Sequence, residues 1–256
     1  MTVTNIYHIS FRKSDASLYI WFKGCNFKCK YCLRKKVPWS FRELEEIDKL
    51  PSPSSVRTLK LNEVRNISNI IDAKRVNLGG FEPTCDPHLR EIIEIFASKG
   101  CYVIMTTNGH LLNKEYAKVL IKSGLKEIVM SIKAYSDAIF QYYTGVSNEK
   151  VLNNFQEISK LEVNLIAETV LIPGLVDVSE IERIAKFISF VNPEIPLRID
   201  ALEPINEGMH GPNTNELKDA KRAAQKFLKK VFYIPKETNI IGKKGEVITI
   251  YPNLMR

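Results

Sequence analysis

The sequence predicts an α/β fold built on parallel strands, and three observations carry that prediction. Short apolar runs alternate with amphipathic helical segments, the alternation repeats six times, and several helical segments end on glycine-containing stop signals. Repeated strand–helix alternation sets consecutive strands side by side with a helix crossing between them, which makes the strands parallel. The pattern is compatible with an open sheet and with a curved partial barrel. In both, the loops leaving the C-terminal ends of the strands carry the chemistry.

Taken in order, strands are expected over residues 18–22, 75–78, 102–106, 127–131, 163–171 and 196–199, where the apolar runs fall. Helices are expected over 64–72, 88–98, 113–123, 151–161 and 179–190. In the last, Ile181, Ile184, Ala185, Ile188 and Phe190 recur close to helical spacing with charge between them. Lys99-Gly100 and Ser123-Gly124 read as C-terminal caps. Breaks are expected at 50–55 (LPSPSS) and at 203–215, where Gly208, Gly211 and two prolines interrupt any regular element. One more helix over 216–230 and a hairpin around 242–245 follow. The chain is thus expected to divide into a core, residues 1–200, and a C-terminal extension, 201–256, packing on one end of it.

With 256 residues, 45% of them hydrophobic, the chain can bury one substantial core. No run approaches the roughly 20 apolar residues that cross a bilayer, and the N-terminus lacks the pattern of a secretory signal; a cytoplasmic location is expected. The net charge of +8 is compatible with an RNA, an acidic protein or an anionic small molecule, and selects none of them. The cysteines are five in number, and three crowd into residues 25–32. That crowding argues against a disulfide framework and for ligands or catalytic thiols.

The cluster, Gly24-Cys25-Asn26-Phe27-Lys28-Cys29-Lys30-Tyr31-Cys32, directly follows the first expected strand. Three thiolates in so short a loop can curl around one compact inorganic object. If that object has four irons, one corner stays open for an outside ligand. Three alternatives stand beside this reading. A zinc site could recruit Cys85, Cys101 or a histidine, although paired C-x-x-C spacings are absent. Cys29 and Cys32 could form a redox pair, leaving Cys25 unexplained. Ordinary buried cysteines are the third.

The spacing C-x-x-x-C-x-aromatic-C, with Tyr31 as the aromatic residue, resembles the motif of the radical S-adenosylmethionine (SAM) superfamily. The resemblance implies a partial (β/α)6 TIM-like barrel and a [4Fe–4S] cluster on Cys25, Cys29 and Cys32. It further implies that SAM chelates the open iron and is reductively cleaved to a 5′-deoxyadenosyl radical. Further motifs follow in the family's order. Gly79-Gly80-Phe81-Glu82 resembles the GGE motif that meets SAM's amino group, with Phe81 inserted; by itself it is a plain turn. Thr107-Asn108-Gly109 is similar to the TNG of glycyl-radical-enzyme activases, the branch containing pyruvate formate-lyase activating enzyme. Ser131-Ile132-Lys133 falls where that branch has Asp-Leu-Lys. Thr144–Asn148 and Val170–Asp177 resemble its Thr-Gly-Val-Ser-Asn and Val-Pro-Gly-x-x-Asp stretches. By resemblance Lys133 contacts SAM's polar groups and Ile172 lines the adenine site; read alone, they are a solvated lysine and a core isoleucine.

The chain departs from the activase pattern at several places. Thr106 and Ser131 stand where that branch often carries acids, and Glu168 where it often has an arginine. Glu168 could hydrogen-bond SAM's ribose hydroxyls or ammonium group, but cannot pair with its carboxylate. No second set of cysteines suggests an auxiliary cluster. Cys85 could relay a hydrogen atom or be a spectator, and Cys101 reads as core. Lys23, Lys28, Lys30, Arg34, Lys35 and Lys36 form a basic stretch. It could dock a flavodoxin or ferredoxin reductant, face nucleic acid, or simply be solvated. The function expected is hydrogen-atom abstraction, with a glycine of a partner glycyl radical enzyme as the leading target. The alternatives are a radical SAM enzyme acting on a small metabolite, a protein side chain or RNA, and a metal-binding interaction module without turnover.

Overall fold

The computed structural model describes residues 2–39, 53–205, 208–234 and 246–252. In chain order the elements are β1 (Ile6–Arg12), β2 (Ser17–Phe22), α1 (Leu61–Ile70), β3 (Arg75–Gly80), α2 (Leu89–Ala97), β4 (Tyr102–Thr107) and α3 (Lys114–Lys122). Then come β5 (Leu125–Ser131), α4 (Asp137–Thr144), α5 (Glu149–Ile158), β6 (Asn164–Leu171) and α6 (Val178–Val191). The last four are β7 (Leu197–Ala201), α7 (Thr214–Gln225), β8 (Val231–Tyr233) and β9 (Val247–Tyr251).

The nine strands among the described residues form one sheet in the order β8-β7-β6-β5-β4-β3-β2-β1-β9. From β2 to β8 every neighbouring pair is parallel. β1 runs antiparallel to β2, and β9 antiparallel to β1. Among the described residues the sheet is open, because β8 and β9 are its edges and do not pair. The six expected strands are β2 to β7. The C-terminal stretch supplies both edges: β8 beside β7, and β9 at the far end beside β1.

One face of the sheet is apolar and takes the helices. β2 places Leu18, Ile20 and Phe22 there, each essentially inaccessible. α2 meets the sheet through Leu89, Ile92, Ile93 and Phe96, while Arg90 and Glu94 pair at 2.8 Å on its solvent side. Burying each such side chain stabilises the fold by about 1.5–3 kcal/mol. α6 buries Ile181, Ile184, Ala185, Phe187 and Ile188. Phe190, expected on that face, is instead 79% exposed. Two residues beyond Ile188 is about 200° of helical rotation, which carries its ring to the opposite side.

Asp177 caps α6 by accepting from the backbone N–H groups of Ser179 and Glu180. Glu180 then reaches back, buried, to accept from the N–H groups of Tyr135 and Ser136 at 2.6 Å each. This fixes the loop that leaves β5. Strands β1 and β8 were not anticipated, and β9 follows directly on the hairpin expected around 242–245. In β1 the inward positions His8 and Ser10 are polar yet fully buried, which disguises the period-two pattern; Thr249 does the same in β9. The hairpin expected around 242–245, and residues 50–52 of the expected break, lie outside the described residues. No helix among the described residues is long and apolar enough to cross a membrane.

Candidate active site at the strand ends

The cysteine loop leaves the end of β2 and is pinned to the end of α4. The N–H groups of Lys28 and Lys30 donate to the carbonyl oxygens of Thr144 and Tyr143, both at 2.9 Å. Phe27 packs edge-on against Phe140, with ring centroids 5.8 Å apart, and Tyr31 against Tyr143 at 5.7 Å. These contacts hold Cys25, Cys29 and Cys32 around one cavity of about 270 Å³. The Cys25 thiol accepts from the Phe27 N–H at 3.3 Å and from the Asn108 amide at 3.7 Å. Burial pushes the Cys25 thiol up to about 11. Burial likewise raises Cys29, against the pull of the Lys133 charge.

The other walls come from the loops after β3, β4 and β5 and from the ends of β6 and β7. Glu82 is buried and joins two of these loops. Its Oε1 accepts from the Thr84 N–H at 3.1 Å, the Thr84 hydroxyl at 2.6 Å and the Thr107 hydroxyl at 2.6 Å. Its Oε2 accepts from the Asn108 N–H at 2.7 Å. Burial raises the Glu82 carboxyl despite these bonds. The Asn108 amide also donates to Asn26 at 2.8 Å, linking the β4 loop to the cysteine loop.

On the far wall Ser131 donates to Glu168 at 2.8 Å, and Arg198 forms an ion pair with Glu168. Arg198 also faces Asp200, with its Nε 3.0 Å from Oδ1. Burial acts to raise Glu168, but Arg198 and then Lys133 outweigh it, so the carboxyl is held below its ordinary value. Burial, helped by Glu168, pushes Asp200 up to about 6. Lys133 lies across from this pair. Burial works against its ammonium, and Tyr143, Glu168, Cys29 and Cys32 more than offset that, leaving its pKa raised.

Of the residues singled out from the sequence, Tyr31, Gly80, Glu82, Thr107, Asn108, Ser131, Lys133 and Glu168 line the cavity together with the three cysteines. Gly79 sits one residue back, in β3. Ile172 is in the buried core, paired with Val176, away from the cavity lining. Sequence reading missed Arg34, Tyr143, Asp200 and Glu203, which also line it, and Arg198 behind them. The alternation Leu197-Arg198-Ile199-Asp200, charged on one face of a strand and apolar on the other, was the available signal.

The model of the radical SAM superfamily matches residues 19–188 of this chain. The chain belongs to the radical SAM superfamily. Radical SAM enzymes as a family use a [4Fe–4S] cluster and SAM, so enzymatic radical chemistry follows from membership. A Methanocaldococcus jannaschii protein, named provisionally as a glycyl-radical enzyme activating enzyme, is 34% identical over 214 residues, spanning 81% of this chain and 76% of that protein. A GTP 3′,8-cyclase of Peptoclostridium acidaminophilum is 30% identical over 189 residues, 72% of this chain but 54% of its own length. Two solved structures share the fold. A domain of a pyruvate-formate lyase-activating enzyme from Bacteroides vulgatus has a TM-score of 0.54 at 20% identity, covering 62% of this chain and 98% of that domain. Streptococcus suis SuiB bound to SAM has a TM-score of 0.61 at 13% identity, covering 85% of this chain and 45% of SuiB.

Proposed function

We propose that Cys25, Cys29 and Cys32 hold a [4Fe–4S] cluster and that the chain uses it to start hydrogen-atom abstraction, with a glycine of a partner glycyl radical enzyme as the target. The observation that carries this reading is the meeting of the three thiols of one loop with Lys133 and Glu168 in a single cavity at the strand ends. The donor set fits a cluster better than one ion. Thiolates on a single zinc stand about 2.3 Å from it and so close on one point. Among the described residues no three Cys, His, Asp or Glu side chains do so.

When bound, the cluster supplies the electron that cleaves SAM to methionine and a 5′-deoxyadenosyl radical. The protein's share is binding, orientation and exclusion of water. Lys133, protonated throughout the ordinary pH range, offers a cation for a carboxylate. The Ser131–Glu168 pair offers an acceptor for an ammonium or hydroxyl group. Phe27, Tyr31 and Val170 keep the interior apolar. The activase target is supported by the relative named as an activating enzyme. Relatives named as GTP 3′,8-cyclases favour a second reading, in which the cavity takes a small molecule.

The reductant is proposed to be a flavodoxin or ferredoxin docking on the cysteine loop. Lys28, Lys30, Lys35 and Lys36 are exposed there. Lys23 and Arg34 drop out of the basic stretch read from sequence: Lys23 donates to the Val56 carbonyl oxygen at 2.8 Å, and Arg34 turns into the cavity wall.

The test is anaerobic reconstitution followed by electron paramagnetic resonance of the reduced protein with and without SAM. About four irons per chain, a signal altered by SAM, and 5′-deoxyadenosine on turnover are expected. A signal indifferent to SAM overturns the reading. Adding the partner enzyme then separates the two targets: a glycyl radical signal supports the activase.

A further inference from the structure

Two cations line the cavity, Lys133 and Arg34. Lys133 has a carboxylate to answer it: Glu168 is among the groups that hold its proton on against burial. Arg34 has none. Among the described residues no carboxylate pairs with it. Burial works against its charge, and the groups that support it are the Tyr7 hydroxyl and the Cys32 thiol. Burial pushes Tyr7 itself up to about 12, so that hydroxyl stays neutral. Cys32 is left as the anionic partner.

The chain fixes this relationship. Cys32 leads directly into the short 3₁₀ turn Leu33–Lys35, and the Lys35 N–H closes on the Cys32 carbonyl oxygen at 3.0 Å. Arg34 is the middle residue of that turn. Its Nη1 donates to the carbonyl oxygens of Val37 at 3.0 Å and Trp39 at 2.8 Å. Its guanidinium carbon lies 4.5 Å from the Trp21 ring centroid. The contacts hold the guanidinium in the wall of the cavity that the three cysteines share. Nε and Nη2 make no hydrogen bond among the described residues.

An arginine keeps its charge at any working pH. Held away from water, that charge acts on its surroundings far more strongly than an exposed lysine does, and salt screens it less. Taking up one electron adds one negative charge to the three thiolates and the irons they hold. A fixed cation on the same cavity wall favours the more negative form, and the potentials of such clusters follow the charge and solvent access around them.

We propose that Arg34 is a fixed counter-charge for the cluster held by Cys25, Cys29 and Cys32, and that it raises the potential at which the cluster accepts its electron. The proposal rests on the reading of those cysteines as cluster ligands. It deepens that reading by naming a residue that tunes the electron-accepting step without being a ligand.

A redox titration of the anaerobically reconstituted full chain tests it, with dithionite as reductant, mediators present, SAM absent and the reduced cluster followed by electron paramagnetic resonance. Arg34→Gln and Arg34→Leu remove the charge, and Arg34→Lys keeps it. Each neutral variant should lower the equilibrium constant for one-electron reduction about tenfold, a fall of about 59 mV in midpoint potential, while Arg34→Lys stays close to the unaltered protein. Melting curves of the apoproteins and iron content report folding and cluster retention. A neutral variant that folds yet loses iron, where Arg34→Lys retains it, also supports the proposal. A potential unmoved in a folded neutral variant overturns it, as does an equal shift in Arg34→Lys, which would mark lost packing. Neutral variants whose apoproteins do not fold would assign Arg34 to the fold and overturn it too. Absence of iron from the unaltered protein would sink the cluster reading itself, whereas a cluster present with an unmoved potential sinks this proposal alone.

Discussion

Glu168 on β6 and Arg198 on β7 occupy paired positions of adjacent parallel strands and form an ion pair on the cavity wall. Glu168 stands where the activase pattern often carries an arginine, and the neighbouring strand supplies a guanidinium instead. Replacing Arg198 by Met leaves two shielded carboxylates, Glu168 and Asp200, facing each other. Removing one partner of a buried pair costs about 3 kcal/mol, or a fall of about 6–12 °C in Tm for a chain of this size. In the variant the folded pKa of Glu168 rises above its unfolded value. The lost stability should therefore return as pH falls through that raised pKa. Thermal unfolding at pH 5 and pH 7 checks both the size and the direction.

Asp200 makes a pH prediction for the unaltered protein. Its folded pKa of about 6 lies above the ordinary aspartate value because of burial and Glu168. A carboxyl raised on folding binds its proton more tightly in the native state. Its contribution to stability is thus fullest at pH below about 4 and is lost as pH rises through 6. Asp200→Asn should flatten that part of the profile, measured as Tm against pH between 4 and 7. An unchanged slope would mean that Asp200 does not titrate in this range.

The Gly79-Gly80 pair separates two roles that the motif alone merges. Gly80 has φ +92°, and a Cβ there would come within 3.1 Å of the Phe22 backbone nitrogen and 3.2 Å of Trp21 Cα. Backbone cannot step aside as a side chain can. At Gly79 the nearest atom would be Thr106 Cβ at 3.9 Å, an ordinary contact. Gly80→Ala should destabilise by at least about 1–2 kcal/mol from the left-handed conformation alone, and Gly79→Ala by less than about 1 kcal/mol. Denaturant unfolding of the two variants ranks them.

The parallel core was legible because β2 to β7 are ordinary: apolar on the helix side, with caps that end the helices between them. The cysteine loop was legible because ligand spacing is a sequence-local property. What was not legible depends on distance in the chain. His8, Ser10 and Thr249 break the alternation of β1 and β9, since they are polar on a buried face and their setting is made by each other. Arg198 and Asp200 lie some thirty residues from Glu168; the alternation of β7 sets both on one face, but nothing local names Glu168 as their partner. Arg34 read as one more member of a basic loop, whereas its stacking on Trp21 turns it away from the lysines beside it. Phe190 was misplaced by treating a two-residue step as part of a helical face.

Loss of any one thiol of the loop should differ in kind from loss of the other cysteines. Cys25→Ala, Cys29→Ala or Cys32→Ala should each abolish stable cluster assembly and lower SAM cleavage by more than about a hundredfold, because three ligands are the fewest that hold the open-corner cluster. Cys101 donates to the Ala73 carbonyl oxygen at 3.0 Å in the core, remote from the cavity lining. Cys101→Ala should retain iron and SAM cleavage while losing a little stability. Iron content and 5′-deoxyadenosine yield of the four variants decide the point. Full activity in any of the first three would remove that residue from the ligand set.

The exposed lysines give a prediction about rate rather than stability. Lys28 and Lys30 flank Cys29, and Lys35 and Lys36 follow Cys32 by only a few residues. Lys30 is braced over the Tyr142 ring, with its Nζ 3.3 Å from the centroid, which holds its charge at the surface beside the loop. Charges so placed steer an acidic partner to the side of the protein nearest the thiols, and rim charges act chiefly on association. Exchanging all four for glutamine should slow cluster reduction by an acidic ferredoxin or flavodoxin about tenfold or more at low salt. The difference should close at 1 M salt, where the screening length falls to about 3 Å. Stopped-flow reduction across a salt series tests this. Equal rates for the two proteins at low salt would place reductant docking elsewhere on the molecule.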